Sequence, residues 1–468
     1  MDNASSLSER FSTPAMKPSD RRSVVTVSTA RLAPPRPGPY LVVLALFGIG
    51  FGLMVGLPLV DGTQTEVRGA MGMAMFLGSV TGLIGTYLAL VMVILASRLP
   101  LIERVVGHPQ VMHWHRRLSP WTILLIELHV VLITLGYAGT AKAGVLSEFS
   151  SIVTTYPRMI PATAAWIIMT VVGVVSYPTI RRVLRRESWW GLHLLLYVAL
   201  VLSFFHEVVL GPSFVGHPIA QWMWTGAWIV AAVLVLLFRV LMPASKSAYH
   251  RLRVAEISHE ADGVTSLILE GEHLEELKVD GGQFFEWRFL NRDHWFGSHP
   301  FSLSARPQPP HLRLTVQSNG DFSSKIDRIK IGTPVFFEGP YGALTVHAQR
   351  QQRALLIAGG VGATAIRPLL EDMTQRQRPV VILRASSESD LIFRSEIQEL
   401  VEERRGELRV VLGDRSKVKL SSMWKGIGDI TKRDIYLAGS ASFVGATLEA
   451  LRAQGVASEL IHSEAYEL

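Results

Sequence analysis

The chain has 468 residues, 49% of them hydrophobic, and a mean hydropathy of +0.28, more apolar than an ordinary soluble protein and typical of a chain that is half membrane. Its net charge of +7 does not read as a nucleic-acid footprint, because Lys and Arg gather at the ends of apolar runs, where they set membrane topology. With no cysteine, disulfides, cysteine-ligated iron–sulfur clusters and thiol catalysis are excluded.

Residues 1–36 are rich in Ser, Arg and Pro and read as a disordered cytoplasmic tail. They are too long and too polar for the start of a signal peptide. Six apolar runs follow, at 38–60, 69–97, 118–139, 160–178, 189–210 and 219–242. Each is near the ~20 residues that a helix needs to cross a bilayer. The pattern predicts an all-α six-helix membrane bundle over 37–243. Arg98, Arg104, Arg116 and Arg117 lie between the second and third runs, and Arg181, Arg182, Arg185 and Arg186 between the fourth and fifth. Arg239, Lys246, Arg251 and Arg253 follow the sixth. The positive-inside rule then puts both termini in the cytoplasm of an integral protein of the cell membrane.

Four histidines mark the third and fifth runs. His115 and His129 are 14 residues apart, and His193 and His206 are 13 apart. Each interval covers about 20 Å of helix. Two helices that each carry a histidine near both membrane faces can clamp two stacked metal centres, and imidazole suits iron porphyrin that takes and gives electrons. A 14-residue step ends only about 40° short of four full turns, so His115 and His129 share a face. A 13-residue step leaves His206 about 140° from the face of His193, which calls for a kink, a change of pitch or different rotamers. His113 competes with His115, but its step to His129 gives the wrong face. Glu127 and Glu207 flank the outer histidines, either to tune them or as charges facing a lumen.

Around Pro243 the composition changes. Short alternating runs over 244–350, such as TSLILEG and QFFEWRFL, predict an antiparallel β-barrel, to which the motifs below add flavin. From 351 to 468 the pattern is strand, glycine loop and helix, predicting an α/β parallel-sheet nucleotide-binding domain. The segment His299, Pro300, Phe301, Ser302 follows GGQFFEWRF and precedes QSNGDFSSKI and EGPYG, which contain Gly320, Phe322, Ser323, Gly339 and Tyr341. Phe301 with Ser302 suits a planar heteroaromatic ring with polar edges. Gly320, Ser323 and Ser324 offer N–H groups and hydroxyls close to phosphate. In AGGVGAT, Gly359, Gly360 and Gly362 let backbone approach a pyrophosphate, and Thr364 opens the next helix. Arg384, Arg394 and Arg415 follow later strands and could meet a 2′-phosphate or simply face solvent; Arg415 is the preferred candidate.

These motifs, in this order, resemble the ferric reductase and NADPH oxidase superfamily over about residues 40–468. The resemblance implies six spans with two bis-histidine b-type haems, then a ferredoxin-reductase-like module for FAD and NADPH or NADH. It pairs His115 with His193 for the inner haem and His129 with His206 for the outer. It puts Phe301 and Ser302 on the isoalloxazine, His299 at the FAD diphosphate and the GDFS segment on the pyrophosphate. Tyr466, in EAYEL, matches the family's terminal aromatic that covers the flavin, with a core tyrosine as the plain alternative. Two departures stand out. Ala438, Gly439 and Ser440 replace the usual Cys-Gly-Pro beside the nicotinamide, and Ile133 replaces a polar histidine found in many of the oxidases. The implied activity is transfer of electrons from cytoplasmic NAD(P)H through FAD and two haems to an acceptor outside. That acceptor is a small molecule, oxygen or a ferric chelate, or else a partner protein. A haem-sensing protein with an inactive reductase module is the third reading.

Overall fold

A computed structural model of the chain describes residues 37–60, 67–318, 322–414 and 418–466. The expected tail at 1–36 lies outside them. The described chain divides into two compact units, one holding the apolar helices as far as Val240 except for Val106–Gln110, and the other made of Val106–Gln110 and the chain from Leu241 onward.

The first unit contains α1 (Pro37–Val60), α2 (Gly69–Ala96), α3 (Pro100–Val106), α4 (His108–Ala141), α5 (Val145–Thr155), α6 (Met159–Val175), α7 (Pro178–Arg181), α8 (Arg186–Leu210) and α9 (Pro218–Val235). Among the described residues, five helices are long and apolar enough to cross a membrane, the last of them running from Pro218 to His250. The fourth expected span is shorter than its apolar run. α6 has 17 residues, about 25 Å of helix, and it stops at Ser176 because Pro178 follows two residues later and starts α7.

Small residues let these helices approach closely. Ala89, Ala165 and Ala199 share a buried cluster with Met169 and Leu200. On α2, Gly78, Gly82 and Gly85 form a stripe against α4. A Cβ on Gly78 would stand 2.9 Å from Ile133, and one on Gly85 would stand 3.0 Å from Ile126.

The first unit ends in a π-helical turn at Leu236–Leu241, and the second opens with α10 (Met242–His250). Two three-stranded antiparallel sheets follow, joined at their edges by the bridges Arg253–Pro334 and Leu303–Leu314. The first has the order β1 (Arg253–Ala261), β2 (Val264–Glu270), β5 (His311–Gln317). The second has the order β4 (His299–Ser302), β3 (Phe284–Phe289), β6 (Val335–Tyr341). Alternation explains their core: Phe285, Trp287 and Phe289 point inward from β3 and are fully buried. α10 is tied to β6 by Lys246 Nζ, which donates to the Gly339 carbonyl at 2.8 Å.

The last region is a five-stranded parallel sheet. Its order is β11 (Ile461–Tyr466), β10 (Arg433–Ser440), β7 (Arg353–Gly359), β8 (Val380–Ala385), β9 (Glu407–Leu412). α11 (Ala363–Glu371), α12 (Arg394–Glu403) and α13 (Ala441–Ala453) cover it. β8 and β10 are buried along their whole length, which is why they read as continuous apolar runs.

Candidate functional site

The four membrane histidines meet in two pairs across α4 and α8. The rings of His115 and His193 are 6.2 Å apart between centres, and those of His129 and His206 are 6.4 Å apart. A metal–imidazole bond of about 2 Å, plus about 1 Å from nitrogen to ring centre on each side, gives about 6 Å for two imidazoles on one metal. Both pairs therefore leave room for one iron.

The remaining ring nitrogens support this fit. His129 Nδ1 bonds the Gly78 carbonyl at 2.8 Å and His206 Nδ1 bonds the Ser203 carbonyl at 2.5 Å, leaving Nε2 of each ring for a metal. His115 Nδ1 and His193 Nδ1 are buried without a hydrogen-bond partner. α8 is one continuous α-helix, so the 13-residue mismatch is taken up by the side chain of His206, which turns back toward Ser203. Between the outer histidines a cavity of about 440 Å3 is lined by Gly82, Thr86, Met169 and Glu207, among others.

Neither membrane glutamate stands alone as a lumen-facing charge. Glu127 accepts from Trp166 Nε1 at 2.9 Å and Thr170 Oγ1 at 2.5 Å. Glu207 accepts from Trp224 Nε1 at 3.0 Å and Thr86 Oγ1 at 3.4 Å. At the inner pair, Trp189 stacks on His193 at 5.0 Å.

In the second unit, pairing of β3 with β4 sets Phe301 opposite Phe285 and Ser302 opposite Phe284. Pro300 faces Glu286 on the same ladder. His299 stacks on Phe322 at 3.7 Å, and Phe301 lies 6.1 Å from the same ring, nearly parallel to it. Three of the named flavin residues thus form one aromatic row. Ser323 opens a short 3-10 turn beside it, while Gly320 lies outside the described residues. Gly339 has a φ of +143°, and a Cβ there would stand 2.6 Å from the Phe285 ring. Tyr341 ends β6 with its ring 5.9 Å from Phe284.

The C-terminal strand brings a residue that the sequence reading missed. Glu464 accepts from Ser302 Oγ at 3.3 Å. Burial pushes its carboxyl up to about 8, against the Ser302 hydrogen bond, which lowers it. Tyr466 lies on the same face two residues on, its hydroxyl buried without a hydrogen-bond partner. Burial, and then the Glu464 charge, raise the pKa of that hydroxyl. The alternation of EAY was the available signal. A buried phenol near Ser302 and Thr364, together with the aromatic row, suits a flavin ring with polar edges.

At the C-terminal end of β7, Gly360–Gly362 make a 3-10 turn into α11. Gly360 has a φ of +55°, and a Cβ on Gly362 would collide with the Ala438 carbonyl of β10. Thr364 Oγ1 donates to the Val361 carbonyl at 2.8 Å. Gly439 sits beside this turn, where a Cβ would stand 3.1 Å from the Gly359 carbonyl oxygen. The first amides of α11 have no side-chain cap, and a strand–glycine turn–helix of this kind fits a pyrophosphate. Arg384 is not positioned as expected. It is buried, and its guanidinium donates to the Ala385 carbonyl and, at 2.6 Å, to that of Gly413, holding the ends of β8 and β9 together. Arg415 lies outside the described residues.

Comparison with known proteins gives the same two halves. Residues 81–204 match the family described as ferric reductase like transmembrane component. The flavohemoprotein of Bacillus subtilis (strain 168) is 25% identical over 240 residues, covering 47% of this chain and 59% of its own. That of Chromobacterium violaceum is 27% identical over 251 residues, covering 47% and 61%. Respiratory burst oxidase homolog protein E of Arabidopsis thaliana is 25% identical over 236 residues, covering 45% and 24%. The chain thus spans about three fifths of the flavohemoproteins and a quarter of the plant oxidase. Fold and site define a membrane protein with a flavin- and nicotinamide-type reductase module. The chain thus joins a region similar to the ferric-reductase-like transmembrane component to a module similar to those of flavohemoproteins and respiratory burst oxidases.

Proposed function

We propose that this chain is a transmembrane flavocytochrome b. It takes electrons from cytoplasmic NAD(P)H and delivers them to an acceptor on the far side, with FAD and two b-type haems as carriers. The observation that carries this reading is the meeting of four histidines as two pairs, each one metal wide. In it, α6 is the fourth of six spans, at the short end of the workable range. The membrane unit comprises residues 37–243, the flavin domain 244–350 and the nucleotide domain 351–468, with both termini cytoplasmic.

FAD turns a two-electron donor into one-electron steps, and haem iron held by two imidazoles takes and gives single electrons. The protein's part is placement. His115 with His193, and His129 with His206, would hold the two irons. The Gly78 and Ser203 carbonyls fix the outer rings through Nδ1. Phe301 and Ser302 would meet the isoalloxazine, while His299, Phe322 and Ser323 stand toward the diphosphate. Tyr466 would cover the ring and move aside for nicotinamide. The Gly359–Gly362 turn and the start of α11 would hold the nucleotide pyrophosphate. Arg415 is the candidate for a 2′-phosphate, which would favour NADPH.

The acceptor in this reading is oxygen, giving superoxide, or a ferric chelate. One observation weighs against oxygen and so favours the other acceptors, a ferric chelate or a partner protein: Ile133, an apolar side chain, lines the outer cavity where the resemblance to many oxidases would place a polar histidine.

The test is NAD(P)H turnover of the FAD- and haem-loaded protein, with superoxide and ferrous iron read in parallel. Two haems per chain are expected. His115→Ala or His193→Ala removes the inner haem, and His129→Ala or His206→Ala the outer. In the outer-site variants the inner haem stays reducible while acceptor reduction fails. Full haem content in all four variants would overturn the assignment.

A further inference from the structure

A fully buried arginine joins the two halves of the reductase. Arg313 lies on β5, and its side chain has no exposed surface. Its guanidinium grips Glu396 of α12 with both ends, at 3.0 and 2.9 Å, and donates to the Ser304 carbonyl at 3.0 Å. It lies 4.3 Å above the ring of Phe393, which precedes α12. Arg367 of α11 reaches the same two acceptors, Glu396 at 2.5 Å and the Ser304 carbonyl at 3.3 Å. It also pairs with Glu371 at 3.0 Å, and Glu371 accepts the Arg306 amide at 2.7 Å.

The position of this network matters more than its charge. Ser304 follows β4, the strand that ends on Phe301 and Ser302, by two residues. Arg367 sits one turn into the helix that starts at the Gly360–Gly362 turn. One carbonyl and one carboxylate thus tie the flavin strand to the nucleotide helix. Burying an ion pair adds little stability over well-packed apolar side chains. What a two-pronged guanidinium–carboxylate contact supplies is direction, which neither apolar packing nor a lysine reproduces. Hydride transfer needs that direction. The reacting atoms must come within about 3–3.5 Å, and a misplacement of about 1 Å can cost about a hundredfold in rate.

We propose that Arg313 and Glu396 are positioning residues for hydride transfer, locking the flavin strand and the nucleotide helix at the angle and distance that bring nicotinamide onto the flavin. The inference rests on the reductase reading above. Neither side chain contacts the reacting atoms; both act through Ser304 and Arg367.

The experiment is stopped-flow reduction of bound FAD by NADPH and by NADH in the full-length, cofactor-loaded protein, counting only chains that retain FAD. Glu396→Gln keeps the shape but loses the charge, and Arg313→Lys keeps the charge but loses the fork. Both are expected to slow flavin reduction at least tenfold while the nucleotide KM stays within about twofold. A merely stabilising contact would instead lower FAD retention and melting temperature and leave the rate per flavin unchanged. Flavin reduction at the parental rate in FAD-loaded Glu396→Gln overturns the proposal. Should that variant lose its FAD, the apolar double variant Arg313→Met/Glu396→Leu replaces it, and the same two outcomes decide. Failure of NAD(P)H to reduce FAD in the unsubstituted chain is a separate result; it removes the reductase reading and this proposal with it.

Discussion

Glu464 is a carboxylic acid kept from water, and its behaviour with pH follows from that. Its folded pKa of about 8 lies well above the ordinary carboxyl value of 4.5, so the folded protein holds a proton that the unfolded chain gives up. Its contribution to stability is whole below about pH 4.5 and declines as pH rises through about 8. Melting temperature measured from pH 5 to pH 8 should fall with a component that Glu464→Gln removes. An unchanged slope in that variant would show that the carboxyl is already ionised at neutral pH. The residue was hidden in the sequence because its role comes from β11 lying against β4, a contact between positions 162 residues apart. Arg384 is the opposite case. It sits at a strand end, as a phosphate ligand would, but the carbonyls around it come from a neighbouring strand and loop that spacing along one segment does not reveal.

Among the elements, α2 does more for the outer histidine pair than its bland composition announces. Its Gly78 carbonyl holds His129, and Gly82 leaves the space in which that ring turns, since a Cβ there would stand 2.5 Å from His129 Nδ1. Gly82→Ala should therefore lower haem from two per chain toward one, with the loss at the outer position. Gly52→Ala on α1, where a Cβ meets nothing within 4 Å, is the matched control. Pyridine haemochrome assay of both variants checks this, and equal haem content would remove α2 from the site. The histidine spacing on α4 and α8 was legible because a helix maps sequence interval directly onto depth and, for α4, onto face. The end of α6 was not, because hydropathy continues through Ser176 and Tyr177 while Pro178 starts a new helix. The two sheets were legible as alternation. Their order was not, since β5 pairs with β2 and β6 with β3 across long connections.

At the scale of the whole molecule, the proposal takes its sides from the basic loops. If the reductase half faces the cytoplasm, NAD(P)H added to sealed right-side-out vesicles should leave the haem bands oxidised. Permeabilising the same vesicles should reduce them. Prompt haem reduction in intact right-side-out vesicles would overturn the topology and the transmembrane path together.

The two histidine pairs, 13 to 14 residues apart on continuous helices, also have an electrical consequence. About 20 Å of helix separates them, a large part of the bilayer's insulating thickness. Both are built into the same two rods, so nothing need swing for charge to pass between them. If both pairs hold haem, as proposed, an electron moving outward between them with no cation moving alongside is a current. Each 100 mV set against a complete crossing imposes about 2.3 kcal/mol per electron, and the step between the pairs bears a large part of it. The protein would then work as a generator whose rate is governed by the membrane voltage as well as by its substrates, and sustained turnover would require a separate return path for positive charge.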